Sequence, residues 1–272
     1  MVSLAGIGKS YRNKLSMVLE HNFAVITVDR VAETLNVHHQ EAGRLLSRWC
    51  KNGWLKRLTR GAYVPVPLEA TSSEVVAEEP LLIVDALYAP GYIAGYSAIK
   101  HWDFSEQIFE TTTYFTTRKI KNRYPSHGGV KYQLKTIKAY KLFGLKPLWF
   151  GSKKVMISDP TKTLVDILDD PKIVGGISIV CDVLAEYMES THYEPDAIIT
   201  YARKMNNKTI FKRFGFLLET RFSLDKELSE ELLTNVSESY SHLDPTIQSH
   251  HSIAKWRLKI SASWKDEYDR KK

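Results

Sequence analysis

The chain has little of what marks a secreted, membrane-bound or repetitive protein. It holds two cysteines, Cys50 and Cys181, in 272 residues. Two thiols cannot form a disulfide framework, so a reducing, cytoplasmic setting is expected. No apolar run approaches the ~18 residues that span a bilayer, because Asp85, Lys100 and Asp182 interrupt the best candidates, and no membrane partner is expected. The opening MVSLAGIGKSYRNK has no cationic stretch ahead of an apolar one, so it does not read as a signal peptide. There is no internal repeat and no βαβ rhythm. What is present is ordinary for a globular chain: 43% hydrophobic and 25% charged residues exclude a disordered or fibrous protein. The length, about 1.8 times a ~150-residue domain, favours two modules.

The net charge of +7 is unevenly placed. Residues 1–64 carry ten basic side chains against four acidic ones, whereas the rest of the chain is close to neutral. A polyanion is therefore to be sought at the first quarter.

There the spacing predicts three helices and a hairpin. From Tyr11, apolar residues recur at Leu15, Val18, Leu19 and Phe23, one stripe of a first helix. After Val25 and Ile26, Thr27 is placed to cap a second helix that turns Val28, Val31, Ala32 and Leu35 inward. Asn36 suits the tight turn that follows, since Asn tolerates the left-handed region. A third helix from about His39 would bury Ala42, Leu45, Leu46 and Trp49, with Glu41 reaching back to cap it. Its other face presents Gln40, Gly43, Arg44, Ser47 and Arg48, flanked by His38, His39 and Lys51. Gln and Arg can bond adenine and guanine edges in two places each. Gly43 costs roughly 1 kcal/mol in a helix relative to Ala, so close approach to something is its expected reason. Strands at Lys56–Leu58 and Ala62–Val64 would flank a turn at Thr59, Arg60 and Gly61, with Arg57 and Arg60 placed for phosphates or a minor groove. This is the order of a winged helix-turn-helix that binds DNA. The alternative is a solvated basic face on a unit that makes only protein contacts.

The stretch PLEATSSEVVAEE is polar, acidic and bounded by prolines, as a linker would be. The expected division is therefore a DNA-binding domain over 1–66, a linker over 67–80 and a larger domain over 81–272. In that domain LLIVDALY and GYIAGYSAIKHW read as two helices, and IFETTTYFTT, GGVKYQLKTI and LWFGSKKVMISD as short antiparallel strands. Asp159 and Pro160 begin a helix, four further helical segments follow, and SIAKWRLKISASW alternates like an edge strand. The expected class is α+β.

Enzymatic constellations are weak. Gly6, Gly8, Lys9 and Ser10 imitate the end of a phosphate-binding loop, but Ser3 stands where the motif needs Gly. Asp159, Asp170 and Lys172 can be aligned with a nuclease pattern, in which a metal and a general base would sit on a sheet edge. Asp170 follows a helix and precedes Pro171, so a cap at Asp159 and a helix-terminal turn at Asp169 and Asp170 is the preferred reading. His242, His250 and His251 lack the partners of a metal site, and both cysteines read as buried thiols. No catalytic residue, metal or cofactor is expected. One basic run remains: Arg118, Lys119, Lys121 and Arg123 beside Tyr124, with Lys131 nearby. It suits a phosphate backbone or an acidic protein, and equally a solvated loop that discourages edge pairing.

The combination of RLTRGAYVPVP, YIAGYSAIKHWDFSEQIFETTTYFTTRKIKNR, SDPTKTLVDILDDPKIVGGI, FKRFGFLLE and SHLDP with KWRLKI resembles the AbiEi antitoxin family, the regulators of AbiE-type type IV toxin-antitoxin systems of abortive infection. The resemblance runs from about Asp29 to Ile260. It implies an autorepressor that binds inverted-repeat promoter DNA, and self-association on that DNA is expected. It also implies a second domain that opposes a nucleotidyltransferase-like toxin without a stable complex. On this likeness, His38 to Arg48, with Arg57 and Arg60, match the DNA-reading element, and Arg118 to Arg123 match a basic loop. The runner-up is a regulator whose second domain binds a ligand or protein, with no toxin. A DNA-processing enzyme using Asp159 and Asp170 is a third reading.

Overall fold

The computed structural model describes residues 8–66, 79–107 and 110–271. Over these the chain is mixed α+β, with eleven α-helices and several sheets among the described residues. The first elements are α1 (Lys9–Glu20), β1 (Ile26–Thr27), α2 (Val28–Leu35), α3 (His39–Lys51), β2 (Leu55–Thr59) and β3 (Ala62–Pro65). Next come α4 (Pro80–Tyr88), β4 (Gly91–Ile93), α5 (Gly95–His101), β5 (Thr112–Thr116), β6 (Ser126–His127), β7 (Val130–Thr136), β8 (Leu145–Phe150) and β9 (Lys153–Ser158). A mainly helical stretch follows, with α6 (Pro160–Asp169), α7 (Ile177–Glu189), α8 (Pro195–Met205), α9 (Thr209–Arg221) and α10 (Lys226–Thr234). The chain closes with β10 (Ser241–His242), β11 (His251–Ile253), β12 (Leu258–Ile260) and α11 (Ala262–Lys271).

Two compact units form, Met1–Gly91 with Glu110–Thr136 and Leu148–Val155, and Tyr92–Phe109 with Ile137–Pro147 and Met156–Lys272. The expected linker falls within the first stretch, and its residues 67–78, like Ser3 and Gly6, lie outside the described residues.

In the first unit, Thr27 caps α2 by accepting the Arg30 amide at 3.3 Å, and Asn36 ends that helix at φ 49°. Ala42, Leu45, Leu46 and Trp49 of α3 pack with Val31 and Ala32 of α2, Leu15 and Val18 of α1, and Leu55 and Tyr63 of the β1-β3-β2 sheet. The stripe on α1 is narrower than its spacing suggests, because Tyr11 and Leu19 remain 37% and 38% exposed.

The strands of the same unit correct the expectation of antiparallel pairing. β5 and β7 run parallel, in register from Thr112 opposite Tyr132 to Thr116 opposite Thr136, and only the short β6 is antiparallel to β7. Parallel neighbours need a connection of about a dozen residues, which the segment 117–129 supplies. β5 is buried at every position, as parallel strands covered on both faces are. Two of its threonines bond inside: Thr113 Oγ1 donates to Gln133 Oε1 at 3.1 Å and Thr116 Oγ1 to Tyr88 O at 2.6 Å. Gly91 lies close against β5, and only a glycine fits there, since a Cβ would lie 2.1 Å from Phe115 O.

In the second unit Ile93 of β4, in a segment expected to be helical, pairs in parallel with Ile157 of β9. Asp159 caps α6 by accepting the Lys162 amide at 2.7 Å. All of α6 from Pro160 to Leu168 is buried, so its polar residues must be paired internally. Lys162 Nζ bonds the Asp166 carboxylate and Tyr92 OH, and Tyr92 OH donates to Asp166 Oδ2 at 2.9 Å. Burial lowers the Lys162 pKa, and the neighbouring Asp166 opposes that shift. Arg213 of α9 donates to Leu168 O and Asp169 O at the end of α6, and to His242 O and Leu243 O. Burial brings its pKa down to about 10.

The tail is also corrected. It is a turn between β11 and β12 followed by α11, not one edge strand, and β12 lies between β10 and β11. Trp256 is fully buried in that turn, in room left by Gly215, where a Cβ would come within 2.2 Å of the indole.

Asp166→Ala is expected to destabilise the fold by about 3–5 kcal/mol, because it leaves a buried ammonium uncompensated. Replacing both partners, as Lys162→Met with Asp166→Leu, is expected to cost far less. Urea unfolding midpoints of the two variants check this, and equal losses would contradict it.

Candidate nucleic-acid interface

The buried stripe of α3 fixes which of its residues face outward. His38, His39, Gln40, Arg44, Ser47, Arg48 and Lys51 are all exposed, as are Arg57 and Arg60, while Gly43 and Thr59 are half-buried. The structure therefore brings the expected α3 positions onto one open face. Gln40, Arg44, Lys51 and Arg60 make no side-chain hydrogen bond or ion pair among the described residues.

The other members are held. His38 is the cap of α3, its Nδ1 accepting the Gln40 amide at 3.3 Å. His39 Nδ1 lies 3.3 Å from Asp29 Oδ1 of α2. Ser47 Oγ donates to Gly43 O at 2.9 Å, and the Arg48 guanidinium lies 4.6 Å above the Tyr11 ring. Arg57 Nε donates to Thr59 O at 3.2 Å, which braces the β2–β3 turn. Glu41 does not cap the helix as expected. Its carboxylate pairs instead with Lys14 Nζ at 2.9 Å, a charged donor and so a stronger partner than the His38 backbone amide that a capping box would offer.

Two residues that support this face were not singled out by pattern. Tyr11, at the start of the stripe expected to be buried, is exposed and its ring carries Arg48; Asp29 lies in the first turn of α2 and meets His39. The signal for Asp29 was available, because an acid there also complements the helix dipole.

The basic run Arg118 to Arg123 forms an exposed loop beside β7. Thr136 Oγ1 donates to Arg118 O at 3.0 Å and Leu134 N to Arg123 O at 2.8 Å, so the loop is tied at both ends. Arg118 Nη1 donates to Leu87 O at 3.0 Å. Lys119, Lys121 and Arg123 are exposed, Tyr124 is 64% exposed, and Lys131 is exposed on β7 opposite Ser126.

The residues considered for catalysis are elsewhere engaged. Asp159 and Asp170 flank the ten-residue α6 at opposite ends, about 15 Å apart at the rise of a helix. Asp159 Oδ2 accepts from Tyr201 OH at 2.8 Å. Burial pushes the Cys181 thiol up to about 11, which suppresses its thiolate. Among the described residues no group of three or more His, Cys, Asp or Glu is placed to hold a metal ion, and no helix is long and apolar enough to cross a membrane.

No protein-family model matches the chain, and no curated protein matches it.

A Cβ built at Gly43 would meet nothing within 4 Å, so the fold itself does not require glycine there. Gly43→Ala is expected to raise stability by about 0.5–1 kcal/mol through helix propensity. A lower thermal midpoint for the variant would show that the fold does need the glycine.

Proposed function

We propose that the first 66 residues are a winged helix-turn-helix and that the chain is a DNA-binding autorepressor of the antitoxin type. α3 is its recognition helix and the β2–β3 turn its wing. The observation that carries this reading is the single exposed face of α3, with Gln40 and Arg44 unengaged and Arg57 and Arg60 presented on the adjacent hairpin. Gln40, Arg44 and His39 read base edges in the major groove. Arg48, Lys51, Arg57 and Arg60 position the unit on phosphates, and the open surface at Gly43 lets the helix approach closely.

Supporting features are the concentration of charge in this quarter of the chain and the bracing of the face from behind by Lys14, Asp29 and Tyr11. The target is promoter DNA with inverted repeats, on which two copies associate. The rest of the chain opposes a nucleotidyltransferase-like toxin in the cytoplasm without a lasting complex. This part of the proposal rests on the family resemblance, and Arg118, Lys119, Lys121, Arg123 and Lys131 are its surface.

Arg44→Ala is expected to weaken operator binding by ~1–3 kcal/mol and to relax discrimination at one base position. Arg60→Ala should weaken all duplexes alike and flatten the salt slope by about one unit. Competition binding on the promoter duplex and on scrambled DNA separates the two roles. Equal loss on both duplexes for Arg44→Ala would remove it from base reading.

A further inference from the structure

An unassigned groove of the first unit, about 540 Å³ in volume, is walled by α2, the β2–β3 turn, the end of α4 and Arg118. Three arginines are among its lining residues: Arg30, Arg60 and Arg118. Arg30 Nη1 donates to Val25 O at 3.1 Å, and its guanidinium lies 4.7 Å over the Phe23 ring. Arg118 Nη1 donates to Leu87 O at 3.0 Å. Each anchor uses one of the five donors of a guanidinium, so both heads are fixed in place with donors to spare. Arg60 is exposed and unanchored among the described residues. None of the three makes an ion pair among those residues.

Two acidic residues, Asp29 and Glu33, also line the groove. Asp29 is engaged by His39 at 3.3 Å. Asp85, within electrostatic reach of Arg30, accepts from Tyr114 OH at 2.7 Å. Forked, pre-positioned guanidiniums are suited to phosphoryl oxygens, which they bind in pairs. The carboxylates disfavour a ligand that is uniformly anionic and favour one that also carries N–H donors. We propose that the groove binds a nucleoside polyphosphate, with Arg30, Arg60 and Arg118 on its phosphates and Asp29 and Glu33 facing its base or sugar donors. Because Arg60 is also assigned to the DNA backbone, nucleotide and duplex compete for it. That consequence rests on the DNA-binding reading, whereas nucleotide binding itself does not.

Calorimetric titration of the full chain with ATP, GTP and tripolyphosphate, without divalent cations, tests the groove. One saturable nucleotide site is expected, with tripolyphosphate bound more weakly than the nucleotides. Arg118→Gln should lower nucleotide affinity about tenfold or more, and Lys208→Gln, which lies outside the lining, should not change it. Should Arg118→Gln fail to fold, Arg60→Gln on the exposed turn serves in its place. Absence of nucleotide binding, equal affinity for tripolyphosphate, or indifference to the arginine variant would overturn the proposal. In a second arm, nucleotide should raise the apparent Kd for promoter duplex, and no effect on a bound duplex would overturn the competition. Failure of the duplex to bind at all would count against the DNA reading, while the calorimetry would still decide the groove.

Discussion

The burial of Trp49 fixes the rotation of α3, and the surface assigned to DNA depends on that rotation. The indole is fully enclosed, together with Leu46 and Ala42 on the same side of the helix. Burying a ring of this size contributes on the order of 4–6 kcal/mol. Its Nε1 finds no acceptor among the described residues, which costs about 1–3 kcal/mol. The apolar gain is the larger, so the inward position wins. With Trp49 inward, the 3.6-residue period leaves Gln40, Arg44, Ser47 and Arg48 no place but the outer face. The bracing contacts then limit how far this face can tilt, since Lys14 holds Glu41 from α1 and Asp29 meets His39 from α2.

The second unit is organised by another constraint, the enclosure of charges. α6 is covered on all sides and still carries Lys162 and Asp166. Each is tolerated because the other is one turn away and Tyr92 bonds both. Arg213 resolves the end of the same helix, where carbonyl groups lack helical partners. It binds two of them, and its remaining donors reach His242 O at the end of β10 and Leu243 O just beyond it. A buried arginine surrounded by carbonyls ties α6, α9 and β10 into one arrangement and leaves little freedom for α9 to rotate.

Much of the first quarter was legible because local rules and tertiary packing agree there. The cap at Thr27, the left-handed Asn36 and the stripe Ala42, Leu45, Leu46 and Trp49 each follow from neighbouring residues. What was not legible depends on distant partners. Nothing near Glu41 says that Lys14, 27 residues earlier, will outbid the helix end for its carboxylate. The parallel pairing of β5 and β7 is likewise non-local. A hint lay in TTTYFTT, which does not alternate between apolar and charged residues and so suits a strand covered on both faces. The tail misled because the alternation in SIAKWRLKI spans a turn at Arg257, φ 51°, which composition does not reveal. The candidate DNA face was readable position by position, whereas the grouping of Arg30, Arg60 and Arg118 around one groove required the fold.

The central claim is that α3 and its adjacent hairpin read DNA, and it is tested most directly with the unaltered protein. The measurement is its affinity, across a salt series, for duplex DNA from upstream of its own reading frame and for a scrambled duplex of equal length. The account predicts affinity that falls steeply with salt on both duplexes, with the upstream duplex bound at least about a thousandfold tighter. Equal affinity for the two duplexes, or binding insensitive to salt, would contradict it.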